Sequence, residues 1–461
     1  MVDKRQEPVF TRQQSEDFDK AFDLLRDLVD LRAADEEFPR RANSVYTSCV
    51  VLWMLIYQRL KPDASLEAAV KHLRDTKPSY LPDNKRLAEG KLSPSTGGYS
   101  RARSALPLEA VEWFAGQVCQ SIVNESEPLL NDRRIFLLDG TTLSLAPEKE
   151  LQVTYTPASN QLGEGVWPIA LLTVFHELAS GCALLPEVGP MYGDHAVSET
   201  ELARDGMSKL PSDSIIMTDS GFGIFGVAFE AKRYGHDFLL RMKKSNFDAL
   251  RKKATLKSET RKTKTYSHTW KPTAKNRNTQ PSLPDDASVE VTLHEVTIND
   301  ELTLYFVTSL QEDAVALAEL FKYRTQVEVD IRNLKVVLDT ENIRAKSVDM
   351  FKKELYTSVV AYNLVGQLRR EAARINKLPP RRMSFKKTWT TFQIFLLRHM
   401  HTEPAKWREA FREALSIAIT DKLPNRPGRK QKREVYRKRP KDVQFKKRQK
   451  PASKIKRNDV K

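Results

Sequence analysis

The sequence predicts an α/β protein in which a helical N-terminal region precedes a mixed α/β domain. Three observations carry that reading. Through residues 1–125 the apolar residues recur three and four apart, the spacing of one helix face. From about residue 130 to 375 they gather in short runs of strand length, first in succession and then alternating with helical stretches. Two long helical patterns follow the last of these runs.

Taken in order, "SEDFDKAFDLLRDLVDL" and "SVYTSCVVLWMLIYQRL" read as helices, and "SLEAAVKHL" opens with a serine cap. "EGKLSPSTGGYSRARSALPLEAV" breaks the pattern with Gly and Pro before another helix. This region, residues 1–125, is a candidate for reading DNA. Arg101 and Arg103 near its turn suit either DNA reading or internal packing. "RRIFLLDGTTLSL", "IALLTVFHEL", "CALLPEV", "SIIMTDS" and "DFLLRMK" then read as strands. "SETELARDGMSKL" and "GIFGVAFEAKRYG" between the later ones read as helices. Residues 245–300 turn polar and then strand-like, an expected β-rich insertion of hairpins. One long helix is expected from Glu312 to Asp339 and another over "MFKKELYTSVVAYNLVGQLRREAARI", with residues 376–420 a C-terminal helical segment.

Composition narrows the class. An apolar share of 40% over 461 residues supports a large core and more than one domain. No apolar run reaches the roughly 18 residues of a membrane span, and "MVDKRQEPVF" lacks a signal-peptide core. Cys49, Cys119 and Cys182 are odd in number and far apart, which suits a reducing cytoplasm better than a disulfide framework or a zinc site. Of the net charge of +16, +14 falls in residues 421–461. That tail interleaves Pro, Gly and occasional aromatics with Lys and Arg, so it is expected to be disordered alone and to neutralise phosphates without reading sequence.

The chemistry centres on carboxylates. Asp139 ends the run "IFLL", although Asp-Gly between strand-like runs is equally a hairpin signal. Asp219 ends "SIIMT", although it could equally cap the next helix. Both stand at carboxyl ends of hydrophobic strands, where open α/β sheets build sites. On the helix "YRTQVEVDIRNLKVVLD", Arg324, Glu328 and Lys335 fall within about 40° of one another. They flank a stripe of Val327, Ile331, Leu334 and Leu338. An Arg324–Glu328 ion pair accounts for two of them by itself. If the three acids converge, oxygen-only ligands select Mg²⁺ or Mn²⁺, and two such ions would clamp the oxygens of an in-line phosphoryl displacement. Arg324 and Lys335 would then grip substrate phosphates. Past a strand, "FLLRMKKS" leaves Arg241, Lys243 and Lys244 able to face a DNA groove or solvent.

At these residues the chain resembles a DDE transposase of the bacterial insertion-sequence-four family. The register Phe321, Arg324, Glu328, Lys335 matches three positions of that family's Tyr-x2-Arg-x3-Glu-x6-Lys helix signature. "LLDGTTLSL" and "IIMTDSGFG" resemble its two aspartate strands, and the likeness extends over roughly residues 40–430. The resemblance implies an RNase H-like catalytic core at residues 130–375, carrying the β-rich insertion. It implies Asp139, Asp219 and Glu328 as catalytic metal ligands for Mg²⁺ or Mn²⁺, with Arg324 and Lys335 on DNA phosphates; Phe321 and Arg241 are further candidate DNA contacts by their positions. It further implies a bacterial, nucleoid-associated enzyme. As a homodimer, such an enzyme nicks double-stranded DNA at transposon ends and transfers the freed ends into target DNA. Phe321 departs from the signature tyrosine, losing a hydroxyl while keeping a ring that could stack. Trp270 in the insertion suits a flipped base or ordinary packing. The competing readings are a catalytically silent relative kept as a DNA-binding protein or repressor, and a nuclease without strand transfer.

Overall fold

The computed structural model describes residues 12–41, 43–61, 65–76, 84–160, 163–337, 343, 345–399 and 404–424. The chain divides into two units at the boundary between Lys422 and Leu423, and all the described elements belong to the first. The expected basic tail lies outside the described residues from position 425 onward.

Every described helix or strand before position 135 is helical: α1 (Arg12–Leu28), α2 (Ala33–Glu37), α3 (Ser48–Leu60), α4 (Leu66–Thr76), α5 (Lys85–Ala88), α6 (Gly97–Ala105) and α7 (Leu108–Glu125). Ser65 caps α4 as its position suggests, accepting from the Ala68 N–H at 3.1 Å. The run "SCVVLWMLIYQRL" is buried along nearly its whole length, so α3 is the inner helix of this group. Arg103 does not face outward. It lies on α6, which forms within the stretch expected to be broken, and its Nη2 sits 2.5 Å from the buried Glu354.

From β1 (Ile135–Ser144) the chain continues through α8 (Lys149–Thr154), β2 (Pro157–Asn160), β3 (Gly163–Glu177), β4 (Glu187–Pro190) and α9 (Glu199–Met207). It then passes through β5 (Ile215–Thr218), α10 (Phe225–Arg233), β6 (Asp237–Arg241) and α11 (Lys244–Arg251). The region 245–300 holds β7 (Thr255–Glu259), β8 (Thr263–Trp270), α12 (Ala274–Thr279) and β9 (Val289–Asn299), and β10 (Leu302–Thr308) follows. All ten strands join one sheet in the order β2-β3-β1-β5-β6-β10-β9-β8-β7, with β4 on β3. Only β1, β5 and β6 run parallel.

Three local expectations are corrected here. Asp139 does not end a strand, and Asp139-Gly140 is no turn: β1 runs on to Ser144, with Asp139 opposite Val174 of the long β3. The hairpin signal loses because β3 supplies an unbroken partner on both sides of the glycine. Asp219 does not cap α10, whose first residue is Phe225. Its Oδ1 accepts instead from the Gly221 N–H at 2.8 Å, a side chain-to-backbone turn. The single helix expected over 312–339 changes type three times. It runs as α13 (Ala314–Phe321), a 3₁₀ turn (Lys322–Thr325), α14 (Gln326–Arg332) and a π turn (Asn333–Val337), and position 338 lies outside the described residues. Such π segments inside helices cluster at functional sites.

The closing helices are α15 (Val348–Ile375), α16 (Phe385–His399) and α17 (Pro404–Ile419). Strand alternation divides the core. Phe136 and Leu138 of β1 join the large cluster with α3, α7, α9, α10 and α15, while Ile135 and Leu137 join a smaller one with α13 and α14. No helix among the described residues is long and apolar enough to cross a membrane.

Candidate active site

Strand periodicity places both aspartates. Ile135 and Leu137 on β1, and Ile215 and Met217 on β5, point into the smaller cluster under α13 and α14. Residues two apart share a face, so Asp139 and Asp219 extend these rows toward the same helices. The strands are parallel neighbours with Ile135 opposite Ile215 and Leu137 opposite Met217, which makes the two acids the ends of adjacent rows. Val327 and Ile331 enter the same cluster from α14, and the helical turns around them carry Arg324 and Glu328 over the strand ends.

Arg324 is the centre of the arrangement. Its Nη2 lies 3.1 Å from Asp139 Oδ1 and 3.4 Å from Asp219 Oδ2, and its Nη1 lies 3.1 Å from Glu328 Oε1. The three acids thus meet around one guanidinium that is itself 8% exposed. Exposure rises from Asp139 (21%) through Asp219 (38%) to Glu328 (62%), so the cluster opens to solvent on the Glu328 side. Burial pushes the Asp139 carboxyl above its ordinary range. Arg324 and the Gly140 N–H, 3.0 Å from Oδ1, pull the other way, while Asp219 and Glu328 add to the rise.

The remaining sequence candidates divide. Lys335 reaches back from the π turn to β1, donating to Thr142 O at 2.9 Å and to Thr141 Oγ1 at 3.2 Å. Arg241 ends β6, and Leu240 pairs with Thr218, so Arg241 stands one strand over from Asp219. Its carbonyl oxygen lies where a side chain at Gly223 would begin, so the loop after Asp219 can lie against β6 only with glycine there. Phe321, expected as a DNA contact, lies in the core of the structure. It is 9% exposed and its ring packs on Phe306 with centroids 5.0 Å apart, inside the smaller core cluster. An apolar ring on the inner face of α13 is drawn into the sheet. Trp270 is buried too, edge-on to Phe225 at 5.6 Å.

Two groups escaped the sequence reading. Asp330, on the same helix as Glu328, is fully buried, and its Oδ2 accepts from Arg381 Nη2 at 2.6 Å and Nε at 2.8 Å. Burial raises its carboxyl, but Arg381, His176 and Arg369 together outweigh that and hold it below the ordinary range. The available signal was an acid set among the apolar positions 327, 331 and 334. Glu199, the first residue of α9, is the other. Burial chiefly, and then the charges of Asp139 and Asp219, push its carboxyl up. Nothing in its local sequence marks it, since Ser198 and Glu201 already form the helix-capping box.

For a divalent cation the donor chemistry fits, being carboxylate oxygen without thiolate or imidazole. Three acids against one guanidinium also leave a formal excess of two negative charges at the cluster. As they stand, no three ligating side chains among the described residues are gathered closely enough to hold an ion, because Arg324 lies between the acids.

Residues 187–364 match the family model described as a transposase DDE domain, which supports a DDE transposase acting on DNA. The matched segment contains Asp219, Arg324, Glu328 and Lys335; Asp139 and the helices before it lie outside. The mixed α/β architecture with its mostly antiparallel sheet fits the RNase H-like fold of such a domain. DDE transposases generally use divalent metal ions. No curated protein matches this chain.

Proposed function

We propose that this protein is a cut-and-paste transposase of the insertion-sequence-four type, with Asp139, Asp219 and Glu328 as its catalytic carboxylates. The observation that carries the reading is Arg324. One guanidinium touches all three acids, brought from the middle of one strand, the loop after another and a helix turn. A structural salt bridge needs one partner, and an acid cluster this large costs stability unless something uses it.

The three acids would hold Mg²⁺ or Mn²⁺, which when bound activates an attacking oxygen and stabilises the leaving one. Around that chemistry the chain's own groups position DNA. Arg324 has a planar fork suited to bidentate contact with a phosphate, and its Nε and Nη2 make no well-aligned hydrogen bond among the described residues. Lys335, anchored on the β1 backbone, holds a cation beside Thr141 and Thr142 at the strand's outer end. Arg241 adds positive charge on the Asp219 side. Glu328, the most exposed of the three acids, faces the approach of a DNA strand. A second copy of the chain would let two transposon ends be held together.

The test is nicking of DNA that carries the gene's own flanking ends, with wild type compared with Glu328→Gln. Mg²⁺- or Mn²⁺-dependent nicks at the end boundary, lost in the variant while DNA binding persists, would support the reading. Binding without nicking by the wild type would favour a silent relative acting as a DNA-binding protein or repressor.

A further inference from the structure

From Lys243 to Arg277 the chain carries twelve Lys and Arg residues against two acids, Asp248 and Glu259. That stretch is +10, whereas residues 1–420 together are +2, so the remainder of that body is negative. Both acids are already taken. Asp248 meets Lys244 at 2.9 Å and Arg251 at 3.2 Å, and Glu259 meets Lys264 at 2.7 Å. Lys252, Lys253, Lys257, Arg261 and Lys262 are exposed and make no ion pair among the described residues.

These five cations follow one edge. β7 is the outer strand of the sheet, paired with β8 alone and exposed at all five positions. Lys252 and Lys253 precede it, Lys257 lies in its middle, and Arg261 and Lys262 occupy the turn that follows. At roughly 3.3 Å per residue the row is about 30 Å long. Its turn is braced. Thr260 donates its N–H to Thr263 O at 2.8 Å and accepts at Oγ1 from the Lys262 N–H at 3.3 Å, while the Thr297 N–H of β9 donates to Lys262 O at 2.8 Å. Arg261 and Lys262 are thus presented on a fixed backbone. The neighbouring β9–β10 turn carries Asp300 and Glu301, which confines the positive strip to the outer edge.

Charge on an edge strand also guards against strand-to-strand association, but a lysine or two is enough for that. Five unpaired cations spread over about 30 Å fit a long polyanion, and a duplex offers one phosphate charge per roughly 1.7 Å of its axis. Exposed Thr255 and Ser258 between the cations add hydroxyls of the kind that hydrogen-bond phosphate oxygens. In the sheet order β7 stands six strands from β1 and five from β5. At about 4.8 Å per strand the strip lies roughly 24–29 Å from the strands of Asp139 and Asp219. Along a duplex that is about seven to eight base pairs.

We propose that the outer edge of the inserted strands, from Lys252 to Lys262, binds the phosphate backbone of duplex DNA about seven to eight base pairs from the phosphate placed at Asp139, Asp219 and Glu328. This rests on the reading of those acids as the cleavage site. The strip touches phosphates and no base edge, so it adds affinity and direction without sequence preference.

The experiment measures the affinity of the full chain for a duplex bearing the gene's flanking ends, over a series of NaCl concentrations in chelator. Lys257→Gln/Arg261→Gln should lower the slope of log affinity against log salt by about 1.8, at about 0.9 per phosphate contact. Lys209→Gln/Lys232→Gln removes the same charge from exposed positions after α9 and on α10, and should leave the slope within about 0.5 of wild type. Both variants should melt with wild type. Neutral methylphosphonates placed singly along the duplex then locate the contact. Those about seven to eight base pairs from the nick should weaken wild-type binding and cost nothing further in Lys257→Gln/Arg261→Gln. An unchanged slope in that variant, with wild-type nicking intact, overturns the strip and leaves the proposed function standing; the edge cations then only guard against strand pairing. Equal slope losses in the two variants, or interference at another distance from the nick, overturn it as well. If wild type does not bind the duplex, the strip and the proposed function fall together.

Discussion

Two arginine–carboxylate clusters lie two residues apart on one helix and have opposite balance. Around Glu328 three acids share Arg324, and the cluster opens outward. Around Asp330 one fully buried acid faces two arginines, Arg381 at 2.6 Å and Arg369 at 3.9 Å. The second arrangement holds the fold together. Arg381 also donates to the backbone carbonyls of Glu177 and Leu178 at the end of β3, so Asp330 ties α14 to the sheet. The first arrangement is left with excess negative charge at a surface. The same residue chemistry is structural where cations match or outnumber acids in the interior, and is a candidate binding site where acids outnumber cations at an opening.

The sharpest way to break this comparison is one substitution on each side. Glu328→Gln is expected to lower end-nicking by about a thousandfold, the scale of losing a strong transition-state contact, while its urea unfolding midpoint stays that of wild type. Asp330→Ala should do the reverse in kind, costing about 3–5 kcal/mol in urea unfolding because two buried arginines lose their counter-ion. Equal stability losses in the two variants would erase the distinction.

Acid sharpens the same contrast. Burial holds His176, packed near Asp330, at about 4 instead of 6.5, and neither ring nitrogen has a hydrogen-bond partner among the described residues. Between those values the unfolded chain takes up a proton that the folded chain refuses. Stability should therefore fall as pH drops from 6.5 to about 4, by up to about 3 kcal/mol from this residue. His72 and His294, also held at about 4 mainly by burial, push in the same direction. Asp330, lowered, keeps its stabilising contribution above the ordinary carboxylate value of 3.8 and loses it only as pH falls further. Asp139, raised, has the opposite sign: its ionisation costs stability as pH rises from 3.8 through its folded value. His176→Phe should flatten the decline between pH 6.5 and 4 in urea melts. An unchanged slope would show that His176 is not what titrates.

The smallest expected effect is that of Phe321→Tyr. The family signature would make it a gain, but the ring packs on Phe306, and the added hydroxyl should cost about 1 kcal/mol with no increase in nicking. A rise in nicking rate would show that the ring leaves the core when DNA binds.

What the sequence determined by itself was the face on which each side chain lies. The two-residue period through Ile135, Leu137 and Asp139, repeated through Ile215, Met217 and Asp219, sends both acids to one side of the sheet. The helical period through Val327 and Ile331 turns Glu328 and Arg324 toward that side, and these periods come from the local geometry of strand and helix. Local signals failed where a distant partner outweighed them. Asp139-Gly140 extends a strand because β3 pairs across it, Arg103 turns inward because Glu354 of α15 receives it, and Phe321 is drawn into the core. Only the tertiary structure decided that Arg324 stands among all three acids, that Glu199 fills the space above Gly140, and that Arg381 meets Asp330. Each of these contacts joins elements far apart in the chain. No short-range period encodes which of them pack together, because that is settled by sheet order and by how the helices cover each face.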